Sequence, residues 1–201
     1  TVCAYDRAGH GRSEPADGPQ DGIAIAADLH ALLDGAGVAG PYVLVAHSSG
    51  GPYVRVFASR YPDAVAGVVL LDAQPADAFT ALPDYPATYR GLQLIYGLSP
   101  SLARTGLLAP ILGLPADQST AAAARNARDE LAVLPDALEQ AKALTSLDDR
   151  PLVVVTAGTG PQAGWLAAQE VMAGMSTNSV HRIIASATHV SLITGVEAAD
   201  A

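Results

Sequence analysis

The sequence predicts an α/β protein, a mostly parallel sheet flanked by helices and interrupted by a helical cap insertion. Three observations predict it. Short Val/Leu/Ile runs recur along the chain, helix-like stretches separate them, and a proline-rich segment at about 74–149 breaks that rhythm. Continuous apolar runs without alternation suit parallel strands covered on both faces.

The strand-like runs fall at 2–6, 42–46, 67–72, 152–157 and 182–186. A helix is expected at 23–33, where Ile25, Leu29, Leu32 and Leu33 recur at helical spacing and Gly35 offers a stop. A second helix is expected at 51–61, ended by Pro62, and a third at 166–175. Strand, helix and strand in alternation imply parallel pairing through right-handed crossovers. Residues 74–149 carry Pro75, Pro83, Pro86, Pro100, Pro110, Pro115 and Pro135 with short helical patterns between them. This segment reads as a cap over the carboxyl edge of the sheet, the core being 1–73 and 150–201. A linker with a second helical unit is the alternative.

Composition excludes some classes. A net charge of −9 argues against nucleic acid and anionic membranes as partners. No apolar run approaches the ~20 residues of a membrane span, so the expectation is a soluble protein with the cytoplasm favoured as its compartment. The single cysteine, Cys3, rules out an internal disulfide and a cysteine zinc cluster. Within Val2-Cys3-Ala4 it reads as a small buried apolar residue. No metal and no cofactor is expected: a phosphate loop is absent, and Gly158-Thr159-Gly160 lacks the rest of a dinucleotide fingerprint.

The most informative motif is Ala46-His47-Ser48-Ser49-Gly50, between a strand-like run and a helix-like one. A strand-to-helix turn this tight needs small residues two places either side of its apex, and it lifts the apex hydroxyl above the sheet. A nucleophilic Ser48 needs a base and a group that orients the base. Parallel sheets carry their chemistry at the carboxyl ends of the strands. There His189 follows the final run, while His10 is the rival; His30 reads as a solvated helix residue, His47 as pointing elsewhere, and His181 as lying at the wrong strand end. Asp72 closes its strand at the same edge and is the expected acid. Asp6 also closes a strand, but reads as pairing with Arg7 to fix the loop at 8–13.

Together, Tyr5-Asp6-Arg7-Ala8-Gly9-His10-Gly11-Arg12-Ser13, Val45-Ala46-His47-Ser48-Ser49-Gly50-Gly51, Val69-Leu70-Leu71-Asp72 and Thr188-His189 resemble the α/β-hydrolase fold family of serine hydrolases. The order Ser, Asp, His matches the family's. The resemblance implies ester or related acyl-bond cleavage through Ser48, His189 and Asp72, with the Ser49 amide in the oxyanion hole. It also implies three strands before residue 2, one of whose loops supplies a second oxyanion donor. The expectation is thus an N-terminally truncated hydrolase, a piece of a longer enzyme. The small-molecule substrate is expected to be an apolar acyl compound. Tyr85, Tyr89, Leu92 and Tyr96, with Phe79, Leu82 and Ile95, could line its pocket or simply form the core of the cap. An acyltransferase, a cofactor-free haloperoxidase-like enzyme and a catalytically silent binding module remain alternatives.

Overall fold

The computed structural model describes residues 2–112 and 119–194. Expectations touching 113–118, Pro115 among them, or the chain's end at 195–201 lie outside the described residues. Four parallel strands, β1 (Tyr42–His47), β2 (Val65–Leu71), β3 (Leu152–Ala157) and β4 (Ser179–Ile184), form one sheet in the order β1-β2-β3-β4. Helix α1 (Gly22–Gly35) precedes β1, and α2 (Gly50–Arg60) with the 3-10 turn Pro62–Ala64 connects β1 to β2. Between β2 and β3 stand α3 (Ala78–Ala81), α4 (Tyr85–Arg104), α5 (Leu108–Leu112) and α6 (Ala121–Ala141); α7 (Trp165–Ala173) joins β3 to β4, and α8 (Ser191–Thr194) follows.

The main core lies on one face of the sheet, while a smaller cluster of Ala157, Ala187 and Leu192 packs with Val155 and Ile184 at the end of the other. Leu44, Ala46, Val68, Leu70, Leu152 and Val154 are buried in the main core with Val56 and Phe57 of α2 and Met172 and Ala173 of α7. Apolar burial of this kind contributes roughly 25 cal/mol per Å² removed from water. The other face departs from the expectation of strands covered on both sides. Its cross-strand row is Val45, Val69, Val153 and Val180, four valines in register. Val45 and Val180 at its two ends remain 62% and 50% exposed, because all the helices in the core cluster lie on the opposite side.

Two further expectations are corrected. Residues 2–6 form no strand: Val2 is 98% exposed and Cys3 is exposed rather than buried. A strand needs a neighbouring ladder of amides and carbonyls, and the segment lies outside the four-stranded sheet. Between the prolines, moreover, stand two long helices instead of short ones, α4 running through Pro100 and α6 through Pro135. A helical proline leaves the carbonyl four residues earlier without its N–H partner. Here side chains replace the missing donors. Ser99 Oγ donates to the Tyr96 carbonyl at 2.8 Å, and Tyr89 Oη donates to the Leu131 carbonyl at 2.8 Å.

Candidate active site

Ser48 and Asp72 follow the ends of two adjacent strands, and the ladder carries both. Ser48 N–H donates to Leu71 O at 3.3 Å and Asp72 N–H to Val155 O at 2.6 Å. Both residues are non-glycines at positive φ, 54° and 44°, conformations that lift a side chain off the strand at a steric cost. The sequence around Ser48 makes that turn possible. A Cβ on Gly50 would lie 3.3 Å from Ala46 Cβ, and one on Gly51 only 2.8 Å from Ala73 Cβ. Ala46, in a place where glycine also serves, fits because Gly50 leaves it room. Ser49 is the N-cap of α2, so its N–H belongs to the set of donors that no helical carbonyl satisfies.

His189 comes from the loop after β4. Thr188 and Ser191 exchange hydrogen bonds, Thr188 N–H to Ser191 Oγ at 2.8 Å and Ser191 N–H to Thr188 Oγ1 at 3.2 Å. Thr159 N–H donates to Ala187 O at 2.9 Å, tying this loop to the one after β3. The imidazole of His189 then spans the other two residues, Nε2 being 2.9 Å from Ser48 Oγ and Nδ1 2.6 Å from Asp72 Oδ2. Asp72 is 3% exposed. Burial alone raises a carboxyl pKa, but the hydrogen bonds from His189, from the Trp165 indole at 2.7 Å and from the Ala157 amide at 3.1 Å outweigh it. The net effect holds Asp72 below the usual carboxylate range.

This geometry has a definite chemical capacity. With Asp72 ionised, Nδ1 carries the proton and Nε2 presents its lone pair to the Ser48 hydroxyl. Ser48 is half-buried as a residue, and the His189 side chain is 42% exposed. Among the described residues no group of three or more His, Cys, Asp or Glu side chains could hold a metal ion.

The other histidines are engaged elsewhere. His10 pairs with Glu130 at 3.0 Å, and His181 pairs with Glu170 at 2.6 Å while Thr156 Oγ1 meets its Nε2. His30 is exposed, as expected, and stacks on Tyr61 at 4.0 Å. His47 does not point away: its ring lies 4.3 Å from that of His189, with Nε2 2.9 Å from the His189 carbonyl. Arg7 reaches across to Glu130 at 2.8 Å rather than to Asp6. The Asp6 carboxylate instead accepts from the Arg12 amide, and its carbonyl accepts from Ser13 Oγ. Tyr85 and Tyr89 are buried with Ala78, Leu82, Leu134, Leu138 and Trp165, whereas Leu92 and Tyr96 are half-buried on α4. Tyr85 Oη accepts from Gln74 Nε2, and the Gln74 amide donates to Ser48 O at 2.9 Å. Sequence reasoning missed Trp165 and Glu130. The position of Trp165 after the glycine-rich loop at 158–164 was the one available signal.

The chain is similar to known proteins in sequence and in fold. A family model described as alpha/beta hydrolase fold matches residues 1–146. Lipase LipV of Mycobacterium tuberculosis is 43% identical over 94 residues, covering 42% of this chain and 35% of the lipase. The bifunctional esterase/perhydrolase DCH of Acinetobacter calcoaceticus is 44% identical over 75 residues, covering 37% and 27%. The chain spans about a third or less of the length of the curated relatives it matches. Among solved structures, a thermophilic esterase from Thermogutta terrifontis aligns with TM-score 0.63 and 23% identity over 96% of this chain and 74% of its own. A lipase-like protein from Acinetobacter baumannii aligns at 0.70 and 15% identity over 96% and 70%. At these identities the structural matches speak for the fold alone. The sheet, the order of its elements and the family match over 146 residues agree: this chain belongs to the alpha/beta hydrolase fold family.

Proposed function

We propose that the chain carries a serine-hydrolase centre that cleaves carboxylic esters. The observation that supports this most is the continuous hydrogen-bonded line Ser48 Oγ, His189, Asp72 at 2.9 and 2.6 Å. In the proposed reaction Ser48 Oγ attacks the ester carbonyl while its proton passes to His189 Nε2. Asp72 holds the ring orientation and stabilises the imidazolium. The oxyanion takes a hydrogen bond from the Ser49 amide. The tetrahedral intermediate collapses, the C–O bond to the alcohol breaks, and His189 returns its proton to the leaving oxygen. Water, deprotonated by His189, then releases the acid and restores Ser48.

The helices of 74–149 act in this reading as a lid, with an apolar acyl group resting on the Tyr85, Tyr89, Leu92 and Tyr96 side of α4. The link from Tyr85 through Gln74 to the Ser48 carbonyl supports that placement. Labelling with a fluorophosphonate tests the centre: wild type is expected to label and to hydrolyse p-nitrophenyl butyrate, and Ser48→Ala to do neither. Absence of labelling in the wild type would overturn the reading.

The similarity to an esterase/perhydrolase favours a second outcome at the same acyl-enzyme. Hydrogen peroxide in place of water would release a peracid. Peroxide-dependent peracid formation from an acetate ester, lost in Ser48→Ala, is its signature.

A further inference from the structure

The Trp165 indole joins two parts of the molecule. Its Nε1–H donates to Asp72 Oδ1 at 2.7 Å, the oxygen that His189 does not use. Its rings are buried with Ala78, Leu82, Tyr85, Tyr89, Leu134 and Leu138, which all belong to α3, α4, α6 and their connections. Its ring and that of His189 stand nearly perpendicular, at 6.4 Å between centroids and 86°.

The start of α7 is built for this position. Gly164 adopts φ 81°, and a Cβ there would fall 2.7 Å from Ala81 O, so only glycine lets α7 press against the end of α3. One turn after Trp165, on the same helix face, the fully buried Gln169 donates its amide to Ala73 O at 2.7 Å. Helix α7 therefore grips Asp72 by its carboxylate and its successor by the main chain.

We propose that Trp165 is a positioning residue, through which the packing of the helices in 74–149 sets the aim and strength of Asp72 as the partner of His189. The inference rests on the serine-hydrolase reading above and adds a regulatory input to it: a ligand that repacks the helices moves the indole, and the indole moves the acid. The groups that face His189 are Ser48 and His47 from the β1–α2 turn, Asp72 from the end of β2 and Trp165 from α7. With the indole donor removed, Asp72 keeps on Oδ1, among the described residues, the Ala157 amide alone. Its charge is then less shared, it holds the protonated ring of His189 more tightly, and the carboxylate is freer to turn.

The chain contains one tryptophan, so growth on benzothienylalanine replaces the indole N–H by sulfur at this position alone. The expected result is an acid limb of the fluorophosphonate inactivation rate that moves to higher pH, with a plateau about tenfold slower, the size of one lost hydrogen bond to a charged group. Leu134→Ala, which loosens the same cluster without touching Asp72, is expected to move the limb as well. An acid limb unchanged in the benzothienylalanine protein would overturn the positioning role; one unchanged in Leu134→Ala would overturn its link to the helices. A second readout is the single indole N–H resonance, expected to shift in His189→Gln as Asp72 loses its ring partner; an unmoved resonance would also overturn the proposal. Should the wild type resist fluorophosphonate while that resonance shifts, the hydrolase reading fails and the Trp165–Asp72–His189 coupling stands.

Discussion

His47 Nε2 lies 2.9 Å from the main-chain oxygen of His189, and the two rings sit 4.3 Å apart. The residue beside the candidate nucleophile thus holds the loop that delivers the candidate base. Burial lowers the His47 pKa, with the neighbouring His189 ring a smaller contribution in the same direction. At neutral pH His47 is therefore an uncharged donor to the carbonyl. His47→Ala is expected to slow fluorophosphonate labelling by about tenfold, roughly the 1.4 kcal/mol of one hydrogen bond. His47→Gln, which keeps an N–H donor, is expected to recover part of the rate; equal rates for the two variants would remove the hydrogen bond from the explanation.

Acid stability reports on Glu130. Its carboxylate takes Arg7 at 2.8 Å, His10 at 3.0 Å and Tyr53 Oη at 2.9 Å. Burial raises its pKa, but those partners outweigh it and hold the group at about 2 against an ordinary 4.5. A folded pKa below the unfolded one means a contribution fully present above pH 4.5 and lost as pH falls toward 2. The shift corresponds to about 3 kcal/mol. Denaturant unfolding at pH 7 is expected to show Glu130→Gln less stable by about that amount, with the gap to wild type closing between pH 4.5 and 2.

Tyr89→Phe separates the packing role of the hydroxyl from the substrate contact proposed for the ring. The change keeps the ring and removes the side-chain donor bonded to the Leu131 carbonyl that Pro135 leaves open. A loss of about 1–2 kcal/mol is expected, with the KM for apolar esters unchanged. Thermal unfolding and ester kinetics on the same sample check both halves, and a changed KM with unchanged stability would reverse the assignment.

Gly51→Ala tests how tightly the serine turn is packed. Its new methyl would lie 2.8 Å from Ala73 Cβ and 3.3 Å from Gln74 O. The expected cost is about 1–3 kcal/mol, together with slower labelling of Ser48, because Ala73 adjoins Asp72. Denaturation midpoints and labelling rates measure the two effects.

What could be read from the sequence was local. The apolar run at 152–157 coincides with β3, and the small residues around Ser48 signal a tight turn within five positions. The carboxyl-edge rule then brings Asp72 and His189 to the same place, since parallel strands all end on one side. What escaped depends on distant partners. Trp165 meets Asp72 across 93 positions and Tyr53 meets Glu130 across 77, and no periodicity encodes either contact. Pro100 and Pro135 misled because a helix interior tolerates proline when another donor takes the freed carbonyl; Ser99 does so from the position before Pro100, whereas Tyr89 reaches Leu131 from another helix and is visible only once α4 and α6 are packed. Residues 2–6 have the composition of a strand, but the described sheet offers them no ladder.

The positive φ of Ser48 has one more consequence. Any residue with a Cβ carries the same steric load there, and glycine does not. Ser48→Gly and Ser48→Ala both lack the hydroxyl, so their difference isolates that load. The glycine variant is expected to be the more stable by about 1 kcal/mol, as judged by denaturation midpoints. A protein selected for durability alone would carry glycine at position 48; in the proposed hydrolase reading, its serine is a trait that chemistry keeps against the interest of the fold.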